Sequence, residues 1–332
     1  MKLVITSLLM SSLSKFFRTY SASRMVAGTK KFQLDRAFEE NIARKDSYQH
    51  IVGCDEAGRG PLAGPVTAAA VYIEPGTYLE NIRDSKAITS EADREEAYDL
   101  ITSHPNVLWS VVSIDNAGID QMNILQATLK AMQLAVSDVV EKMPNITNDE
   151  GILALVDGNK VPKDMHSRIS ATRAVIKGDS TCFSIAVASI LAKVTRDRIM
   201  HDLHKKYPQY GFLQNKGYPT VEHRKALSIH GPSHVHRVSY KPVRDAMEKH
   251  GMESLPEPFT PVSSSLAVSV DQHEADDSID TESNSNYQYV SLNRNINGRL
   301  KLPKKRLIDD LEDECEESVS KECGKTNGRR RY

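Results

Sequence analysis

The chain has 332 residues with 43 basic and 44 acidic side chains, which excludes a uniformly basic protein that coats nucleic acid. No apolar run approaches the roughly 20 residues that a membrane-spanning helix needs. The four cysteines show no metal-ligand spacing and are too few for a disulfide scaffold, so we expect a reducing compartment. Charge is unevenly spread, because residues 157–244 hold 16 basic and 6 acidic side chains, which suits contact with a polyanion.

Residues 1–48 are predicted to be an organelle transit peptide and a linker. Residues 1–34 contain no Asp or Glu and carry six basic residues among serines and apolar residues, a composition typical of transit peptides. We expect mitochondrial import with cleavage near Ser21, just after Arg18. A plastid location and a secretory signal are the alternatives, and a second start at Met25 would leave a cytosolic or nuclear product.

Residues 49–245 are predicted to fold as one α/β domain. Short runs rich in Val, Ile and Ala alternate with amphipathic stretches of helical period. The predicted strands are 51–54, 66–73, 107–114 and 152–156. The predicted helices are one that Ser90 caps, ending near residue 101, and two longer ones at 123–140 and 184–206.

Residues 246–332 are predicted to be a disordered tail. Residues 254–298 are rich in Ser, Asn, Asp and Pro, so they cannot bury enough apolar surface to offset the entropy of ordering. An acidic run at 309–317 lies between basic triplets at 304–306 and 329–331. These triplets resemble nuclear-import signals, although such clusters are commonplace in tails.

Two adjacent carboxylates, Asp55 and Glu56, follow the first predicted strand and precede a glycine-rich turn. Anionic side chains at the end of an apolar strand cost free energy unless a cation compensates their charge. Carboxylate oxygens suit hard divalent ions, so Mg²⁺ or Mn²⁺ is the expected partner. The competing interpretation is an acidic surface turn without a metal.

The same stretch also matches a dinucleotide-binding pattern, with Gly58, Gly60 and Ala63 after a strand and Glu80 about twenty residues further on. This pattern would make the chain a nucleotide-binding oxidoreductase. However, two carboxylates would then face a pyrophosphate, and prolines interrupt the helix that should receive it. We therefore favour the metal-binding interpretation.

Two further carboxylates, Asp157 and Asp179, are candidates for the same site. Asp157 ends a predicted strand, and a neighbouring parallel strand would bring it beside Asp55. The alternatives are an ordinary Asp-Gly turn for Asp157 and a helix cap for Asp179, which precedes the long predicted helix. Four carboxylates could hold two divalent ions about 4 Å apart, an arrangement that catalyses phosphoryl-transfer hydrolysis. The residues alone therefore indicate a metal-dependent phosphodiesterase.

The motifs of residues 49–245 resemble those of the ribonuclease HII family, the type 2 ribonucleases H. The matching motifs are 51–65, Asp84-Ser85-Lys86, 123 onward, Val156-Asp157-Gly158-Asn159, Lys177-Gly178-Asp179-Ser180, 184–197, 207–212, Lys216-Gly217-Tyr218, Glu222-His223-Arg224 and Gly231-Pro232-Ser233. Coincidence does not account for so many long motifs at the family's spacings. The resemblance implies a ribonuclease H-like mixed sheet with flanking helices and a small helical C-terminal part that begins near Tyr207.

The resemblance also implies the roles of individual residues. Asp55, Glu56, Asp157 and Asp179 occupy the family's four acidic catalytic and metal-binding positions. The residues implied in substrate binding are Gly58, Arg59, Gly60, Lys86, Lys177 and Tyr218. In the family the glycine motif contacts the ribose 2′-hydroxyl, the group that separates RNA from DNA, and the tyrosine packs on the following deoxyribose. Without the resemblance, Tyr218 is equally typical of a half-buried structural tyrosine.

The implied activity is an endoribonuclease that hydrolyses the RNA strand of RNA/DNA hybrids and cuts 5′ of single ribonucleotides in duplex DNA. Two divalent ions, Mg²⁺ or Mn²⁺, would serve the reaction, and the products would carry 3′-OH and 5′-phosphate ends. We expect a monomer that acts on nucleic acid without membrane contact. A hybrid-binding module without activity is one rival, which a turnover assay distinguishes. The oxidoreductase is the other, which tight NAD binding would support.

One motif departs from the family's pattern. The family commonly has Asp-Ser-Lys-Lys-Leu, whereas Ala87 and Ile88 follow Lys86 in this chain. The missing lysine should remove one cationic contact with the substrate and weaken its binding. The four carboxylates are unaffected by this change.

Overall fold

The computed structural model describes residues 34–77, 79, 82, 88, 90–143, 151–256, 289–294 and 300–306. The predicted transit segment, up to residue 33, lies outside the described residues, and so does the substrate-binding candidate Lys86. In the ranges that are described, no helix is both long and apolar enough to cross a membrane.

Within the described ranges, seven strands form one mixed sheet in the order β5-β4-β1-β2-β3-β6-β7. Their bounds are β1 (Tyr48–Ala57), β2 (Val66–Ile73), β3 (Val107–Ile114), β4 (Gly151–Asp157), β5 (Ile169–Val175), β6 (Tyr289–Arg294) and β7 (Leu300–Arg306). β4 pairs in parallel with both β1 and β5, and the other neighbours are antiparallel. The predicted mixed sheet is confirmed, and β2 and β3 have the predicted bounds.

Eight α-helices are present in the described part of the chain. They are α1 (Ala37–Lys45), α2 (Glu91–Ser103), α3 (Asn116–Met122), α4 (Ile124–Lys142), α5 (Phe183–Lys206), α6 (Phe212–Asn215), α7 (Val221–His230) and α8 (Lys241–Lys249). Ser90 caps α2 as predicted, because its Oγ accepts a hydrogen bond from the backbone N–H of Asp93 at 3.3 Å. The side chain of Asn123 caps α4 in the same way.

The core lies on both faces of the sheet, with α4 on one face and α5 on the other. β2 is buried along its whole length, and its alternate residues face opposite sides. Ala68 and Ala70 pack in the cluster that contains α4, while Ala69 and Val71 pack in the cluster that contains α5. Burial on both faces explains why β2 is a nearly continuous apolar run.

The folded chain begins before residue 49, the predicted domain boundary. α1 lies inside the segment predicted as transit peptide and linker, and its Glu39 is fully buried. The Glu39 carboxylate accepts hydrogen bonds from the backbone N–H of Ser184 and from Nε of Arg36, both at 2.8 Å. α1 therefore places a negative charge at the N-terminus of α5, where the helix dipole favours it. The prediction missed α1 because its few apolar residues give a weak pattern.

A small helical C-terminal part follows α5, as the resemblance implied. α7 and α8 enclose an apolar cluster that includes Tyr210, Phe212, Leu227 and Val243. This cluster lies behind the glycine-rich segment after β1, since Leu62 and Ala63 of that segment belong to it. The C-terminal part therefore supports the loop that follows the first catalytic candidates.

Three segments of the tail that was predicted to be disordered, from residue 246 onward, have secondary structure. α8 continues to Lys249, and β6 and β7 extend the sheet beyond β3. β6 pairs along β3 with Tyr289 opposite Ile114, which satisfies backbone groups that an edge strand would expose. Composition averaged over a long segment hides such short strands, and Pro303 in β7 is compatible with an edge position.

Candidate active site

Three carboxylates converge at one edge of the sheet. β1 and β4 run parallel with Cys54 opposite Val156, so Asp55 and Asp157 end neighbouring strands at the same edge. One oxygen from each of Asp55, Glu56 and Asp157 lies within 4.8 Å of the others. The parallel pairing that the sequence suggested is therefore present, and it builds a compact group of anionic ligands.

Asp179 adjoins this group through the turn after β5. β5 pairs with β4 so that Val175 lies opposite Asp157. The chain then turns at Lys177, which has a left-handed backbone with φ of 56°, into a short 3-10 helix over Gly178–Ser180. The N–H of Gly178 donates to Oδ1 of Asp157 at 2.6 Å. Asp179 is buried, and its charge contributes to raising the pKa of Asp55.

The electrostatics of the cluster favour a bound cation. Burial raises the pKa of Asp55 well above its usual value, and the charges of Glu56 and Asp157 add to this effect. A hydrogen bond from the N–H of Glu56 to Oδ1 of Asp55, at 2.7 Å, acts in the opposite direction. Arg59 supplies one nearby positive charge, with Nη1 3.3 Å from the Glu56 carboxylate. This all-carboxylate donor set, in which Asp55 is buried and Glu56 and Asp157 are half-buried, fits a hard divalent ion.

The glycine-rich segment after β1 is a tightly packed loop that leads into a strand. Gly58 has φ of +94°, and a Cβ at this position would lie 2.0 Å from Nε of Arg196. No helix follows, because β2 begins at Val66 directly after Pro65. The dinucleotide-binding interpretation is therefore wrong, since it requires a helix N-terminus facing the pyrophosphate.

Two buried arginines hold the carbonyl groups of this loop, and sequence reasoning missed both. Nη2 of Arg237 donates to the carbonyl of Gly58 at 2.7 Å, and its Nη1 donates to that of Arg59 at 3.1 Å. Nε of Arg196 donates to the carbonyl of Pro65 at 3.0 Å. Both side chains are almost fully buried. A charged residue inside the apolar part of α5 is a signal that could have identified Arg196.

Tyr218 lies beside the loop with its side chain 45% exposed. A Cβ at Gly60 would lie 3.4 Å from Cε1 of Tyr218, and the guanidinium of Arg196 is 5.9 Å from the ring centroid. The backbone N–H of Leu62 donates to the carbonyl of Gly217 at 2.8 Å, which ties the loop to the turn that carries the tyrosine. The structure thus groups Gly58, Arg59, Gly60 and Tyr218 around one surface next to the carboxylates.

Comparison with known proteins agrees with this arrangement. The family model for ribonuclease HII matches residues 52–243. Ribonuclease HII of Xanthomonas axonopodis pv. citri is 46% identical over 212 residues, which cover 63% of this chain and 81% of that protein. Ribonuclease HII of Francisella philomiragia is 44% identical over 195 residues, covering 58% of this chain and 97% of that protein.

Solved structures support the fold alone. The crystal structure of a mutant of Bst-RNase HIII has a TM-score of 0.50 at 17% identity, covering 70% of this chain and 79% of that one. The crystal structure of Bst-RNase HIII in complex with Mn²⁺ has the same TM-score, and the match covers 70% of this chain and 80% of that one.

The family assignment rests on the extent of the family match, and the carboxylate cluster and the helical support of the loop agree with it. The chain belongs to the ribonuclease HII family and is an endoribonuclease H, a hydrolase of RNA in RNA/DNA hybrids.

Proposed function

We propose that this endoribonuclease cuts on the 5′ side of ribonucleotides embedded in duplex DNA, as well as within RNA/DNA hybrids, and leaves 3′-OH and 5′-phosphate ends. The observation that carries the proposal is the position of the carboxylate cluster beside Gly58, Gly60 and Tyr218. A phosphodiester at the carboxylates can have its ribose against the loop and its next sugar against the tyrosine.

The four carboxylates would hold two divalent ions, Mg²⁺ or Mn²⁺. Asp55 and Asp157 end neighbouring parallel strands at the same sheet edge, Glu56 lies beside them, and Asp179 would complete the donor set. Divalent ions bound there would lower the pKa of an attacking water and stabilise charge on the leaving oxygen. The chain's own contribution is a partly buried group of carboxylates held together at one sheet edge.

The loop and the tyrosine would select the sugar on each side of the cut. The backbone of Gly58 and Gly60 can approach a ribose closely because no side chain intervenes. The half-exposed ring of Tyr218 would pack on a deoxyribose, where a 2′-hydroxyl would intrude. Arg59 is exposed enough to contact a phosphate, and Lys177, with Lys86 from outside the described residues, would add positive charge.

The experiment is cleavage of a DNA duplex that carries one ribonucleotide, with mapping of both new ends. We expect metal-dependent incision 5′ of the ribonucleotide, inhibited by EDTA, with 3′-OH and 5′-phosphate ends. An RNA/RNA duplex of the same sequence is the control and should resist cleavage. Binding without turnover in Mg²⁺ and in Mn²⁺ would instead support a hybrid-binding module.

We further propose a monomer imported into mitochondria, with a cytosolic or nuclear form started at Met25. The acid-free composition of residues 1–34 supports import, because a cationic amphipathic segment is drawn inward by a negative matrix potential. Residues 1–34 fused to a fluorescent protein should reach mitochondria, and a diffuse signal would contradict this. Light scattering of the purified chain tests the monomer.

A further inference from the structure

We propose that His223 and His236 form a neutral two-imidazole relay that holds Tyr218 in register with the glycine loop. The relay rests on the proposed function, because its purpose is to fix the distance between the ribose-contacting loop and the deoxyribose-contacting tyrosine. Both histidines are fully buried, and neither touches the carboxylates described above. They are therefore positioning residues for recognition of an RNA-to-DNA junction.

The relay is a chain of three hydrogen bonds between buried groups. The backbone N–H of Ser233 lies 3.0 Å from Nδ1 of His236. Nε2 of His236 lies 3.1 Å from Nε2 of His223. Nδ1 of His223 then lies 2.9 Å from the carbonyl oxygen of Tyr218.

The Tyr218 end of this chain determines both tautomers. A carbonyl only accepts, so Nδ1–H of His223 donates to Tyr218 and Nε2 of His223 accepts. The proton between the two rings is therefore on Nε2 of His236. Nδ1 of His236 then accepts from the N–H or the hydroxyl of Ser233, whose carbonyl oxygen lies farther away at 3.3 Å. Every polar atom of both rings is thus satisfied in a single arrangement of neutral imidazoles.

Backbone contacts of the relay residues also join the glycine loop to the turn that carries Tyr218. His236 forms an isolated antiparallel bridge with Ala63 of the glycine loop. At the other end, the carbonyl that His223 holds belongs to Tyr218 itself. Displacing either ring would therefore change the separation between loop and tyrosine, even though each element could still fold.

Aromatic packing fixes the two rings in place. The ring of Tyr210 is edge-on to His236 with centroids 4.7 Å apart, and the ring of Phe212 is edge-on to His223 at 5.4 Å. Burial lowers the pKa of both histidines, and burial together with the neighbouring His223 lowers that of His236 to about 3. Both lowered pKa values favour the neutral form of the imidazoles.

The first test reads the tautomers directly and does not depend on activity. Long-range ¹⁵N–¹H correlation spectra of the full chain should show one buried histidine protonated on Nε2 (His236) and one on Nδ1 (His223). Assignment uses His223→Asn and His236→Gln, each of which removes one signal. The same tautomer for both rings, or a charged ring at neutral pH, would overturn the relay.

The second test asks whether the relay acts through the tyrosine. On a duplex with one ribonucleotide, Tyr218→Ala and His223→Phe should each raise KM about tenfold with a much smaller change in kcat, because misplacement of a recognition group weakens binding. The double variant should be no worse than Tyr218→Ala alone. His230→Phe, an exposed histidine of α7, is the matched control and should behave like the wild type.

A conservative variant separates positioning from stability. In His223→Asn the amide can still donate to the carbonyl of Tyr218. The KM of this variant should therefore be much closer to the wild-type value than the KM of His223→Phe. If His223→Phe does not fold, His236→Leu, which also breaks the hydrogen bond between the two rings, takes its place in the cycle with Tyr218→Ala. Additive losses would overturn the proposal. A wild type that shows the two tautomers and cleaves no ribonucleotide-containing duplex would instead contradict the proposed function.

Discussion

Two groups of charged side chains flank the glycine loop, and they are built in opposite ways. In front of the loop, like charges crowd together, with oxygens of Asp55, Glu56 and Asp157 within 4.8 Å of one another. Behind it, each guanidinium of Arg196 and Arg237 donates to several carbonyls. Repulsion among the carboxylates raises the free energy of the folded, metal-free protein. The N–H groups of the two arginines, in contrast, donate hydrogen bonds to backbone carbonyls. One edge is therefore prepared to bind a cation, and the other holds the loop rigid.

The largest effect should come from removing one charge in the crowded group. Asp157→Asn should reduce cleavage by more than about a hundredfold at saturating Mg²⁺, because it removes an anionic metal ligand. Hybrid binding should be nearly unchanged, since most phosphate contacts come from elsewhere. Asp164→Asn, the same change at an exposed position, is the control. A loss of only a few-fold for Asp157→Asn would contradict the metal-binding role.

Removing one of the two buried guanidinium groups should lower the free energy of unfolding. Arg237→Ala leaves the buried carbonyls of Gly58, Gly64 and Pro65 without this donor, so the free energy of unfolding should fall by at least about 3 kcal/mol. Urea denaturation measures it. Arg224→Ala, at an exposed position on α7, should change it by less than about 0.5 kcal/mol. Equal effects would show that the internal bonds of Arg237 contribute little.

Metal binding should stabilise the protein more at neutral than at acid pH. The pKa of Asp55 is raised in the folded state, so the folded protein holds more protons than the unfolded one between the two pKa values. The stability of the metal-free protein therefore falls as pH rises through the folded pKa. Mg²⁺ at about a hundredfold above its Kd should then add about 3 kcal/mol. A stabilisation by Mg²⁺ that is unchanged between pH 7 and pH 5 would contradict this.

The smallest effect should come from the far edge of the sheet. Deleting residues 257–332 removes β6 and β7 and leaves β3 at the edge. Cleavage of short hybrids should be nearly unchanged, because the catalytic and recognition candidates precede the deletion. The free energy of unfolding should fall by only about 1–2 kcal/mol, since ordering entropy offsets most of the strand's hydrogen bonds. A truncated chain without activity would show that this edge contributes to the site.

The sequence predicted the carboxylate group better than it predicted the two buried arginines. Asp55 and Asp157 are visible because each ends an apolar run, and parallel pairing then brings them together. The carbonyl partners of Arg237 lie more than a hundred residues away along the chain, so no local pattern reveals them. The same holds for Glu39, whose partner Ser184 lies 145 residues away. The hydrogen-bond partners of the two relay imidazole rings lie within 13 residues along the chain, but no periodic pattern marks them. β5 was missed because its residues are half-buried and include an arginine, without a clear alternation.

The most direct test of this contrast is the melting temperature of Asp55→Asn against the wild type, both free of metal at pH 7. The amide oxygen of the substituted side chain can still accept the hydrogen bond from the N–H of Glu56, so only the charge is removed. The variant should melt at a higher temperature than the wild type, lose cleavage, and gain less stability when Mg²⁺ is added. A lower melting temperature for the variant would contradict a cluster strained by its own charge.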